Sequence, residues 1–216
     1  MKAKTCFAIT IALAMQVAIL KANESEMKTS DPGFRPACER SAAFVSEINT
    51  ATVRVYPTIV RSPTNTTFSA ESQQQIVAFL NEEKITRAVP DNRTIDPGEL
   101  EGRGQFDWFQ NDQAVIGQEV QKQNINEKYI LVMEVLFPPQ RGDSQSVFGI
   151  DCIVLNSAGE DVFSILLNSH HQMFVDADLV AADSSEQSRA QLIQKATAVG
   201  IQAFVLQIRN EQPPAK

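Results

Sequence analysis

The sequence predicts an α/β (α+β) two-layer sandwich around a mixed sheet, with elements in the order β-α-β-α-β-β-β-α. Three observations lead there. Residues 129–137 (YILVMEVLF) form a nearly unbroken apolar run between polar sequence and Pro138-Pro139, as a centrally buried strand does. Segments 147–155 and 161–170 flank Asn156-Ser-Ala-Gly159, a hairpin turn. Segments with apolar residues at helical spacing alternate with strand-like ones, so helices and an antiparallel meander share one chain.

Residues 1–22 read as a secretory signal peptide. Lys2 and Lys4 make a positive start, 6–20 is apolar apart from Thr10 and Gln16, and a cut after Ala22 fits. A membrane-spanning helix needs about 20 apolar residues, and this run is shorter. Cys6 lies within the apolar run rather than just after it, so no lipidation cysteine is in place. The expectation is an exported protein, periplasmic or secreted, with no transmembrane anchor in the mature chain.

Residues 23–50 form a polar leader with a turn at Asp31-Pro-Gly and a short helix over 39–48 that aligns Ala43, Phe44 and Ile48. Residues 51–210 make a single domain. Its first strand, 52–60 (TVRVYPTIV), is β-branched, and Pro57 places it at an edge or at a bulge. RSPTNTTF follows as a loop. Ser69 caps a helix in which Ile76, Phe79 and Leu80 repeat at helical spacing. Residues 85–89 make a short strand, and 90–105 is a long irregular segment with two prolines and three glycines. Helix 107–123 carries Phe109, Val115, Ile116 and Val120. After the hairpin, Asp176 and Asp178 lie in a loop. Ser184 and Gln187 then form a capping box that opens a long helix to about Arg209. Residues 211–216 form a disordered tail.

The chain has 26 acidic and 19 basic residues, a formal net charge of −7, and signal removal takes away Lys2, Lys4 and Lys21. Phosphate backbones and anionic membrane surfaces would repel such a chain, which argues against nucleic acid as a partner. Cys38 and Cys152 remain in an oxidising compartment. Two readings stand open: a disulfide between them, or two independent buried thiols. Sequons at Asn23, Asn65 and Asn92 matter only in a eukaryotic secretory route.

The strand and helix order, from TVRVYPTIV through ITRAV and YILVMEVLF to the GIDCIVLNSAGEDVFSILL hairpin, resembles a group of bacterial envelope domains. These are the N-terminal domain of the Tol-system propeller protein, the curli secretion lipoprotein and the lipoprotein activators of penicillin-binding proteins. The resemblance spans about residues 50–209. It implies non-enzymatic work, docking to an envelope machine, and carries no site residues across.

Candidate chemistry is sparse. His170 and His171 are the only histidines, and Asp176 could complete a metal or hydrolytic site with one of them. Adjacent strand residues point to opposite faces, which works against this. Gly142-Asp-Ser144 echoes an esterase nucleophile block, but the serine has no evident base, and Arg141-Gly-Asp143 is equally well a turn. Phe106, Trp108 and Phe109 cluster where a helix begins and are the candidate partner-binding residues; the alternative is a hydrophobic helix entry sealing the core. Glu134 and Asp151 are acids inside apolar strands. They either form a pair with raised pKa values or turn to solvent or to Arg54.

The function expected from these readings is that of an exported, soluble envelope protein working through protein contacts as an accessory or adaptor. It needs no cofactor and is more in keeping with a non-enzyme. The alternatives are a periplasmic metal-binding protein or hydrolase using Asp151, His170, His171 and Asp176, and a small-ligand binder with its pocket beneath 90–105.

Overall fold

A computed structural model describes residues 37–98, 104–123, 125–139 and 144–211. The signal segment, the first half of the leader, Arg141-Gly-Asp143 and the tail beyond 211 lie outside the described residues. The account below concerns the compact unit that begins at Ala43.

Helix α1 (Ala37–Glu47) is followed by β1 (Thr52–Val55), β2 (Thr58–Ser62), β3 (Asn65–Ser69), α2 (Ala70–Glu82) and β4 (Arg87–Pro90). Then come α3 (Gln105–Lys122), β5 (Tyr129–Leu136), β6 (Gln145–Ser146), β7 (Gly149–Asn156) and β8 (Asp161–Leu167). Helix α4 (Gln172–Asp176), β9 (Val180–Ala181) and α5 (Glu186–Glu211) close the chain. This is the α/β sandwich on a mixed sheet that the sequence predicts. Seven strands form the main sheet, while β6 and β9 pair separately.

Strand β5 lies inside the sheet, parallel to β1 and β2 on one side and antiparallel to β7 on the other. β8 forms the edge beyond β7. At the opposite edge, β4 runs beside β1 and β3 beside β2. All eight β5 residues are buried, because helices cover both faces. Leu131, Met133 and Val135 pack with Phe44, Ile48, Ile76, Leu80 and Phe204 from α1, α2 and α5. Ile130 and Val132 pack with Phe109, Ile116 and Val120 of α3. Phe44 braces the first layer, edge-on to Tyr129 at 4.9 Å between ring centroids.

The expected 52–60 strand is broken at Tyr56-Pro57 into β1 and β2. Pro57 has no N–H to continue the ladder. Of the two sequence-derived options the bulge holds and the edge does not, since this line of strands has neighbours on both sides. Val55 stands opposite Leu131 and Ile59 opposite Glu134, so four steps on one side match three on the other. The extra residue reverses the alternation. Val53 and Val55 face the α1/α2/α5 layer, whereas Ile59 faces α3.

RSPTNTTF is not a plain loop, because its second half is β3, paired back on β2. The long helix starts one residue later than the capping box suggests. Ser185, not Ser184, accepts from the Ser188 N–H, because Asp183 takes the Ser185 N–H into its own turn. Asp176 ends a short helix rather than lying in a loop. The Asn156–Gly159 turn forms as expected, with Asn156 Oδ1 accepting from the N–H groups of Ala158 and Glu160. Gly159 has φ +75°, and a Cβ there would lie 2.1 Å from the carbonyl oxygen of Gly117 in α3. That contact seats α3 on the hairpin.

Candidate functional site

Three strands' alternation and one helix's period converge on a buried polar cluster. On β5, Ile130 and Val132 face α3, so Glu134 does too; on β7, Ile153 and Leu155 carry Asp151 with them. On β2, Arg61 follows Ile59 to the same face, a placement that exists only because of the Pro57 bulge. On α3, Phe109 and Ile116 belong to the buried stripe, and Gln105 and Asp112 lie on it at i−4 and i+3 from Phe109.

The Arg61 guanidinium forms an ion pair with Asp112 and reaches Glu134 Oε1 at 3.4 Å and the Gly98 carbonyl at 2.9 Å. Gln105 donates from Nε2 to Asp151 and, at 3.2 Å, to the Leu167 carbonyl. A side chain at 149 would fill the slot that Gln105 occupies: a Cβ on Gly149 would fall 2.5 Å from its Nε2. Gln105 Oε1 accepts from Asn168 Nδ2 at 2.9 Å. The Asn168 N–H in turn donates to His171 Nδ1 at 3.2 Å. Asp151 and His171 are thus ends of one hydrogen-bond chain.

Arg61 and Asp112 are 1% exposed, and Glu134 and Asp151 are fully buried. One guanidinium faces three carboxyl groups. Burial pushes Asp151 far above the ordinary carboxylate range, with the Asp112 charge adding to it and the Gln105 hydrogen bond opposing. Burial does the same to Glu134, reinforced by Asp112 and Asp151 and opposed by Arg61. Asp112 is raised by burial and pulled back by Arg61. The state that leaves least uncompensated charge is an Arg61–Asp112 ion pair beside two neutral carboxylic acids. One oxygen of each carboxyl group, Asp112 Oδ1, Glu134 Oε2 and Asp151 Oδ2, is buried without a geometric hydrogen-bond partner, and a shared proton between Asp112 and Glu134 would satisfy two of them. Through Gln105–Asp151 and Arg61–Asp112 the cluster ties α3 to the sheet.

The sequence-derived candidates distribute unevenly around it. Asp151 belongs to the cluster. Glu134 meets Arg61 and neither solvent nor Arg54, which is engaged by Glu127 and, at 3.7 Å, by Asp91. His171 is half-buried and joins through Asn168, with burial lowering its pKa. His170 is exposed, and so is Asp176, which accepts from Gln172. Among the described residues no group of three or more His, Cys, Asp or Glu side chains is placed to hold a metal ion. Ser144 is exposed, and the rest of its block lies outside the described residues.

Phe109 is a core residue, 5% exposed, so for it the sealing alternative holds. Trp108 is half-exposed and packs against Phe148, centroid to centroid 5.5 Å, and Phe148 is itself 38% exposed. The Phe106 side chain lies outside the described residues. Cys152 is a buried free thiol whose pKa burial raises, and the side chain of Cys38, the other half of the expected pair, is not among those described. Arg61, Asp112 and Gln105 escaped sequence reasoning. The signal for the last two was the spacing of Gln105, Phe109, Asp112 and Ile116 on one helix stripe.

No protein-family profile and no curated protein sequence matches the chain. Among solved structures, the chain is similar to one described as the crystal structure of an uncharacterized protein, at 8% identity and a TM-score of 0.28. The match covers 76% of this chain and 94% of that one.

Proposed function

We propose that this is an exported, soluble envelope protein that works as an accessory or adaptor, and that it contacts its partner through Trp108 and Phe148. The observation that carries this reading is the tilted, partly exposed aromatic pair itself. Aromatic side chains dominate the energetics of protein interfaces. The pair is also rigidly presented. Trp108 stands one turn after Gln105, and Phe148 immediately precedes Gly149, so the Gln105–Asp151 tie braces both. Among the described residues no helix is long and apolar enough to cross a membrane, in keeping with a signal-led chain released after export.

Cross-linking and capture of the tagged protein from its native envelope tests the proposal. One strongly enriched partner is expected from the unaltered protein and not from a Trp108→Ala/Phe148→Ala variant of unchanged thermal stability. Retention of that partner by the variant refutes the assigned surface. Mass spectrometry of the exported chain should show it beginning at Asn23, and an intact residue 1–22 segment refutes export.

A further inference from the structure

Arg54, Arg61, Arg93 and Arg209 each pair with a carboxylate. Arg189, in the first turns of α5, pairs with no carboxylate among the described residues. Its guanidinium lies 4.0 Å from the centroid of the Phe137 ring and donates to Gln145 Oε1 at 3.3 Å. Asp183 and Glu186 are close by in sequence, yet neither comes within ion-pair distance of it, and Asp183 is engaged by Ser185. Burial disfavours the charge on Arg189, and no neighbouring anion offsets this among the described residues. A half-buried guanidinium stacked on an aromatic ring keeps most of its five donors free in a fixed orientation.

This guanidinium lines a groove of about 810 Å³, within the size range of small-molecule sites. Pro63, Pro138 and Pro139 supply apolar wall, and Thr64, Asn65 and Ser146 supply polar groups. The groove lies at the end of β5, where the β2–β3 turn, β6 and α5 meet. It is separate from the acid cluster and from the Trp108–Phe148 pair.

We propose that this groove binds an organic anion, a carboxylate or phosphate carried on a small apolar body. Arg189 takes the anionic group through its planar fork, and the proline walls take the body. The site does not depend on the adaptor role and stands or falls on its own.

The test is calorimetric titration of the full signal-free chain with benzoate and with phenyl phosphate, followed by amide NMR on the same samples. Benzyl alcohol supplies the body without the charge, and inorganic phosphate supplies the charge without the body. Saturable binding of benzoate or phenyl phosphate is expected, with shifts at Phe137, Gln145 and Arg189. Whichever of the two binds more tightly identifies the anion. Arg189→Gln should weaken binding roughly tenfold or more, with amide signals far from the groove, such as that of Gly159, unmoved. Arg189→Lys, which keeps the charge and the fold but loses the fork, should weaken it severalfold. The proposal is overturned if neither aromatic anion saturates, if benzyl alcohol or inorganic phosphate binds as tightly, or if both Arg189 variants bind like the original.

Discussion

Glu134 and Asp151 stand directly opposite each other in the β5–β7 ladder, both turned toward α3, with Arg61 the guanidinium nearest the pair. Two buried acids in such register cannot both ionise cheaply, and this sets the pH behaviour of the fold.

Both groups have folded-state pKa values raised well above their ordinary 4.5 and 3.8. Above about pH 4 the folded chain therefore holds more protons than the unfolded one, and stability falls as pH rises until the folded values are passed. Asp91 and Glu127 are depressed by Arg93 and Arg54. Their contribution is lost only as pH falls below their ordinary values, in a separate acid window. His171, lowered from 6.5 by burial, loses stability as pH falls below that value. The two acids are read most cleanly above the His171 range and below about pH 8, where the buried Cys152 thiol, raised from its ordinary 9.0, starts to add a decline of its own. Urea midpoints should decline there, and Glu134→Gln or Asp151→Asn should flatten the decline. A curve of the unaltered protein that is level from about pH 7 to about pH 9 would count against the two neutral acids.

Arg61→Met should destabilise strongly, by roughly 3–5 kcal/mol, because it strands the buried Asp112 charge. Adding Asp112→Asn should recover much of the loss. Equilibrium denaturation of the single and double variants measures the coupling. Losses of the two single variants that simply add in the double variant would show that the two residues do not act as a pair.

Gly159→Ala should cost roughly 1–3 kcal/mol through the clash with the Gly117 carbonyl and the unfavourable positive φ. Gly98→Ala also meets a positive φ, but nothing lies near its Cβ, so its loss should be the smaller. Thermal melts compare the two directly. Equal losses would assign the Gly159 effect to the backbone angle alone.

Cys152 should resist thiol reagents in the native state and react only on unfolding, because it is fully buried. Mass analysis of the unreduced chain should find no bridge to Cys38. A bridged peptide would mean that the Cys152 environment rearranges after export.

Much of the scaffold was legible because period and composition are local properties. The 129–137 run, the Asn156–Gly159 hairpin and the long C-terminal helix are each written in a few adjacent residues. The helix stripe at 105–116 was readable in part, whereas 65–69 read as loop, since Asn65–Ser69 is a strand only when β2 is there to pair with it. Asp151 and Glu134 could be marked as acids in apolar strands, but their partner could not. The sequence offered Arg54 on the first strand, and Arg61 is the one that reaches Glu134.

The sequence by itself determined the α/β class, the central strand, the hairpin, and that Pro57 marks either an edge or a bulge. Only the tertiary structure decided for the bulge. The extra residue between β1 and β2 reverses the alternation, turns Arg61 to the α3 face, and sets it beside Asp112 and Glu134. Register and helix placement arise from contacts between residues far apart in the chain, so no local pattern records them.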